Sequence, residues 1–127
     1  MLDRKRKIHK IMILGATGFI GKNLALNFSK NLKIKATYNL KIPFKNKNIE
    51  WVKCDLTRTK QLKNLFNDVD VVINASAKTS GANDITQRPY VHVTDNSIMN
   101  MNILREIFIN KKVKLYIFFS CTIMYES

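Results

Sequence analysis

The stretch Ile8-His9-Lys10-Ile11-Met12-Ile13-Leu14-Gly15-Ala16-Thr17-Gly18-Phe19-Ile20-Gly21 decides how the rest of the chain is read. Ile8 to Leu14 is a short apolar run that ends directly in glycine, the pattern of a buried parallel strand. A helix is expected behind it, over about residues 19–31. Ile20, Leu24, Leu26 and Phe28 supply its apolar face, lysines occupy the other side, and Asn31 stands where it should end. Between a strand and a helix, glycine is needed where the backbone turns tightly, where it approaches a pyrophosphate without a Cβ, and where the helix packs closely on the sheet. Gly15, Gly18 and Gly21 can fill these three roles, and the helix N-terminus then directs free amides and its dipole at negative charge. The strand-loop-helix context separates this triplet from a capping turn with incidental glycines. No Gly-Lys-Ser/Thr closes the loop, which removes the Walker alternative. The stretch reads as the dinucleotide-binding turn of a βαβ unit, with Gly15, Thr17, Gly18, Phe19, Ile20 and Gly21 as its cofactor-binding residues.

Working outward, Ile34 to Tyr38 is a second strand, and Pro43 with the Lys-Asn repeats of residues 41–48 forms a loop. Ile49 to Cys54 alternates as a third strand. Leu62, Leu65 and Phe66 mark a short helix, and Val69, Val71, Val72 and Ile73 make a fourth strand that ends at Asn74. Residues 76–90 are polar and are expected to be irregular. A long helix is indicated from Tyr90 to Asn110, entered after Pro89, and Val113 to Phe119 is a fifth strand. Strands alternating with helices predict right-handed crossovers and an α/β, Rossmann-type, doubly wound parallel sheet of five strands in the order 3-2-1-4-5.

With 127 residues, the chain is expected to hold a basic tail, residues 1–7, and one domain, residues 8–127. Nearly half of the residues are hydrophobic and a quarter charged, the profile of a packed globular domain. No apolar run approaches the roughly 18 to 20 residues that span a bilayer, and no secretory signal opens the chain. Cys54 and Cys121 lie far apart and match no metal-ligand spacing, so reduced thiols, no metal and a cytoplasmic setting are expected. The formal charge of +13 is lopsided, with no Asp or Glu between Asp3 and Glu50. Aromatic residues are not interleaved with the basic stretch as a single-strand binder requires, so a nucleic-acid partner is not the favoured reading of it. A solvated tail with a lysine-rich helix face, or attraction of anionic nucleotides, accounts for the same charge.

The cofactor choice rests on the end of the second strand, where an acidic residue would bind the ribose 2′-hydroxyl of NAD. Tyr38-Asn39-Leu40-Lys41 stands there instead. A carboxylate would repel the 2′-phosphate of NADP, whereas Lys41 or Lys45 attracts it, so NADP(H) is expected over NAD(H), with Asn39 and Lys41 among the contacts.

These residues resemble the extended short-chain dehydrogenase/reductase family, the NAD(P)-dependent sugar epimerases and dehydratases, from about Ile8 to the end of the chain. The GxxGxxG spacing is that family's, as is Asp55-Leu56 after the third strand, where the resemblance implies an adenine contact. Asn74-Ala75-Ser76-Ala77 resembles its Asn-Ala-Ala-Ala turn against the cofactor, and Asn96 resembles an Asn early in the helix that follows. Ala77-Lys78-Thr79-Ser80-Gly81 is similar to a segment of the GDP-L-fucose synthase branch, which makes Lys78 either a cofactor-site residue or a surface lysine. In Phe119-Ser120-Cys121-Thr122-Ile123-Met124-Tyr125 the resemblance places the catalytic hydroxyl four residues before Tyr125, at Cys121, with Ser120 and Thr122 on either side. A hydroxyl there orients proton transfer on the sugar, and a thiol is the poorer donor. Ile123 stands where the fucose synthases carry a cysteine used in epimerisation, and no Tyr is followed four residues later by Lys, the pair the family uses for proton transfer.

The chain stops just past the fifth strand, before the substrate domain the resemblance implies. A fifth strand left as an open apolar edge invites pairing. The expectation is therefore an N-terminal piece of a longer, homodimeric enzyme acting on a nucleotide sugar, inactive alone. A non-catalytic dinucleotide-binding or scaffolding module and a basic nucleic-acid-binding protein remain open as alternatives.

Overall fold

The computed structural model describes residues 10–79 and 82–119. Along the chain run β1 (Ile11–Leu14), α1 (Phe19–Phe28), β2 (Ile34–Tyr38), β3 (Ile49–Lys53), α2 (Thr59–Leu62), β4 (Val71–Asn74), α3 (Ala82–Gln87), α4 (Pro89–Asn110) and β5 (Leu115–Phe118). All the pairings are parallel and the sheet order is β3-β2-β1-β4-β5, the doubly wound arrangement that the sequence predicts.

Strand alternation sorts the core into two layers. Met12, Leu14 and Val72 point to one face and meet Leu62, Leu65, Phe66 and Ile103 from the α2 region and α4. Ile11, Ile13, Val71 and Ile73 point to the other and meet Ala25 of α1, with Leu24 and Phe28 at the margin. Apolar demand on both faces is what makes β1 and β4 read as unbroken hydrophobic runs, and each is buried throughout. Lys35 is a charged residue buried within a strand. Its ammonium donates to the Leu65 carbonyl at 3.0 Å and pairs with Asp68 at 3.1 Å.

Several boundaries differ from the sequence expectations for identifiable reasons. The first helix ends at Phe28 rather than near Asn31; Ser29 caps it with helical dihedrals, its N–H donating to the Ala25 carbonyl at 3.0 Å and its own carbonyl accepting from Asn48 Nδ2 at 2.8 Å. The fourth strand begins at Val71, since Val69 closes a turn onto Phe66, although Val69 remains buried. The fifth begins at Leu115, where the chain joins β4 through Asp70. Segment 76–90, expected to be irregular, contains α3, a short helix that packs against α4. Pro89 is itself the first residue of α4, where its missing N–H costs nothing. Among the described residues, no helix is long and apolar enough to cross a membrane.

Candidate functional site

Strand order reverses at β1, with β2 on one side and β4 on the other, and in open parallel sheets ligands bind beyond the strand ends at that point. A cavity of about 680 Å³ lies there, walled by the loops that leave β1, β2, β3 and β4.

The loop after β1 is fixed from below. Gly15 donates to Thr37 Oγ1 at 3.0 Å and Ala16 to the Thr37 carbonyl at 2.9 Å. Gly15 has φ +71°, a left-handed conformation that favours glycine. A Cβ on Gly15 would sit 2.6 Å from Ser76 Cα, and one on Gly21 would sit 2.3 Å from the Gly15 carbonyl oxygen. Both glycines are therefore demanded by the protein's own packing. Gly18 is different. A Cβ there would meet nothing closer than 3.4 Å, yet Gly18 lines the cavity and immediately precedes α1. Its bare backbone leaves room for a group arriving at the helix N-terminus, the fit expected of a pyrophosphate. Thr17 lines the same wall. Phe19 and Ile20 open the first turn of α1 with exposed side chains and do not line the cavity.

At the end of β2, Thr37, Tyr38, Asn39, Leu40 and Lys41 line the cavity, and none is acidic. At the end of β3, Asp55 accepts from the Thr57 hydroxyl at 2.6 Å, the Thr57 N–H at 3.0 Å and Arg58 Nε at 3.3 Å. The Thr57 hydroxyl, more than any other partner, holds the Asp55 carboxyl below the usual carboxylate range. Leu56 is buried beside it, its carbonyl taken by Asn102 Nδ2 at 3.0 Å. Cys54 is buried behind both, and burial pushes its thiol up to about 11.

The turn after β4 brings Ala75, Ser76, Ala77 and Lys78 to the cavity, as the sequence placed them. Lys78 is held at three points by α4. Its N–H donates to Asn96 Oδ1 at 2.8 Å, its carbonyl accepts from Asn96 Nδ2 at 3.1 Å, and its ammonium pairs with Asp95 at 2.8 Å. The Asp95 carboxylate raises the lysine above its ordinary range. Asn96, named from the sequence as a cofactor contact, does not line the cavity; it clamps the backbone of a residue that does. Thr37, Tyr38, Leu40, Cys54, Thr57, Thr79, Asp95 and Met99 line the cavity without having been picked out from the sequence as site residues. Thr37 and Tyr38 close β2, and position at a strand's C-terminal end was the available signal. Ser120, Cys121 and Thr122, the candidate catalytic residues, lie outside the described residues, as do Ser80 and Gly81. Among the described residues no cluster of His, Cys, Asp or Glu is arranged to hold a metal ion.

Residues 11–127 match the family described as NAD dependent epimerase/dehydratase. A dTDP-D-glucose 4,6-dehydratase of Dictyostelium discoideum is 33% identical over 134 aligned positions, which cover 94% of this chain and 30% of that protein. Among solved structures, a UDP-glucose 4-epimerase superposes with a TM-score of 0.78 at 18% identity, covering 93% of this chain and 37% of the other. A mutant uronate dehydrogenase of Agrobacterium tumefaciens complexed with NAD superposes with a TM-score of 0.73 at 15% identity, covering 90% and 41%. The chain thus spans about a third of the curated relative and about two fifths of these structures.

Proposed function

The chain belongs to the NAD dependent epimerase/dehydratase family, and from that membership we propose that it is the dinucleotide-binding part of a nucleotide-sugar epimerase, dehydratase or reductase that prefers NADP(H). The observation that carries the reading is Gly18, a glycine that internal packing does not require and that lines the cavity at the start of α1. In this reading Thr17 and Gly18, at the start of α1, border the pyrophosphate, Asp55 and Leu56 border the adenine, and Ala75, Ser76, Ala77 and Lys78 line the nicotinamide half. Asn96 serves by holding Lys78 in place. The bound nicotinamide supplies a hydride acceptor or donor, and the protein supplies orientation and exclusion of water. One of Ser120, Cys121 and Thr122 donates a hydrogen bond to the reacting sugar oxygen. The complete enzyme is a cytoplasmic homodimer that takes a nucleotide sugar.

The preference for NADP(H) is supported by the β2 end. Asn39, Leu40 and Lys41 line the cavity there, and no carboxylate is present to repel a 2′-phosphate. Fluorescence titration is expected to give NADPH a Kd about tenfold below that of NADH, a difference of roughly 1.4 kcal/mol, and Lys41→Glu is expected to remove it. Equal or tighter binding of NADH overturns the preference. Binding of neither nucleotide overturns the cofactor reading itself.

A further inference from the structure

We infer that Asn74 is a positioning residue for this pocket, a single buried amide through which α4 and β5 set the geometry of the cofactor loops; the inference deepens the cofactor reading above and rests on it. Asn74 closes β4 and is only 1% exposed. Its Nδ2 donates to Asn100 Oδ1 on α4 at 3.1 Å and to the Tyr116 hydroxyl on β5 at 2.9 Å. Its Oδ1 accepts from the Ser76 N–H at 3.0 Å and from the Ser76 hydroxyl at 2.5 Å. An amide has two donor hydrogens and two acceptor lone pairs, and here all four are used. No other side chain of that size offers the same set. A carboxylate lacks the donors, and leucine lacks both kinds of group.

The reach of this residue extends past its own contacts. Ser76 is the wall against which Gly15 packs, since a Cβ on Gly15 would fall 2.6 Å from Ser76 Cα and 2.9 Å from its nitrogen. Ala75, between them, donates to the Leu14 carbonyl at 3.1 Å. A displacement of the Ser76 turn is therefore transmitted to the phosphate loop by backbone contact, with no flexible side chain to absorb it. Tyr116 is half buried against the α4-side core, and burial raises its phenol above the ordinary range, so the hydroxyl stays a neutral acceptor for Asn74.

Three variants test this: Tyr116→Phe, which removes one acceptor, Asn74→Asp, which keeps the shape, and Asn74→Leu, which removes all four bonds. Burial drives a carboxyl at 74 toward its protonated form, which still donates one hydrogen bond. As pH rises it ionises, loses that donor and places a negative charge behind the loop. The ratio of the Asn74→Asp to the wild-type Kd for NADPH is expected to grow from about threefold near pH 5 to about tenfold or more near pH 8. Tyr116→Phe is expected to raise the Kd about threefold with little pH dependence.

Hydrogen exchange supplies a reading that needs no cofactor. Residues 15–18 and 75–78 are expected to lose protection in all three variants, while β2 and β3 keep theirs. A uniform loss across the sheet in every variant would mark a merely structural role and overturn the inference, as would wild-type protection at residues 15–18 in all three. A flat Kd ratio in Asn74→Asp overturns it as well. Should the wild-type chain bind no NADPH, the cofactor reading fails while the exchange experiment still decides the coupling.

Discussion

The two flanks of β1, with β2 on one side and β4 and β5 on the other, end up in different states of burial. On the β2 side, every residue of Ile34–Thr37 is buried, and α1 packs over the sheet through Ala25. On the β4 side the sheet continues into β5, where Leu115 and Phe118 are exposed, and α4 buries only Ile103 of its 22 residues. Met101, Leu104, Phe108 and Ile109 of the same helix stand in solvent. Helical spacing of apolar residues therefore identifies a helix without saying what covers it. The strand β2 is covered by the chain's own elements; β5 and α4 carry apolar surface of the kind that marks contact with another body of protein.

The largest expected difference between the flanks is in the cost of truncating an aliphatic side chain. Ile34→Ala, buried in β2 on the α1 side, is expected to lose about 3 kcal/mol in urea unfolding, while Leu104→Ala, half exposed on α4, stays within about 0.5 kcal/mol. Equal losses would break the contrast.

A second distinction is in pH. Cys54 has its thiol pushed from 9.0 up to about 11 by burial, so the unfolded chain gives up that proton before the folded one does. The contribution is complete below about pH 9 and is lost as pH rises toward about 11, a decline that Cys54→Ala should flatten. Alkylation followed by mass mapping is expected to leave Cys54 protected in the folded chain at about pH 8, and rapid labelling there would show that the α4-side core opens readily.

The smallest effect belongs to the end of α4. Lys111 caps the helix with φ 57°, a left-handed conformation that favours glycine. Lys111→Gly is expected to stabilise the chain by about 0.5 to 1 kcal/mol in the same urea assay. A loss would show that the Lys111 side chain, rather than its backbone, secures that end.

The sheet order and the glycine turn between β1 and α1 were legible because they rest on local signals: apolar runs of strand length, glycines at fixed spacing and a helix face directly behind them. The ends of elements were less so. Nothing in Ser29 announces that Asn48, nineteen residues later, will take its carbonyl at the end of α1. The segment Ala82-Asn83-Asp84-Ile85-Thr86-Gln87 has too few apolar residues to show a helical period, and α3 leans on α4. Within the site, the glycine turn and the residues after β2 were read from spacing and charge and those after β3 and β4 from the resemblance, while Asp95 and the bonds of Asn74 to α4 and β5 were not. Their partners lie 17 to 42 positions away along the chain, Asp95 with Lys78 and Asn74 with Tyr116, and only the docking of α4 and the β4–β5 register bring them together. Asn96, expected as a cofactor contact, does not line the cavity and instead holds the backbone of Lys78.

The meeting of Gly15 with Ser76 carries a consequence for how this domain tolerates sequence change. The contact on the Ser76 side is made by its Cα and nitrogen, atoms that every residue possesses, whereas on the Gly15 side it exists only because a side chain is missing. Position 76 can therefore take other small residues without a clash against the β1–α1 loop, giving up the hydroxyl's bond to Asn74 while its N–H still donates there. Position 15 has no such latitude, and neither does Gly21 behind it. A saturation library over both loops should record that asymmetry as one permissive column facing two that accept a single letter.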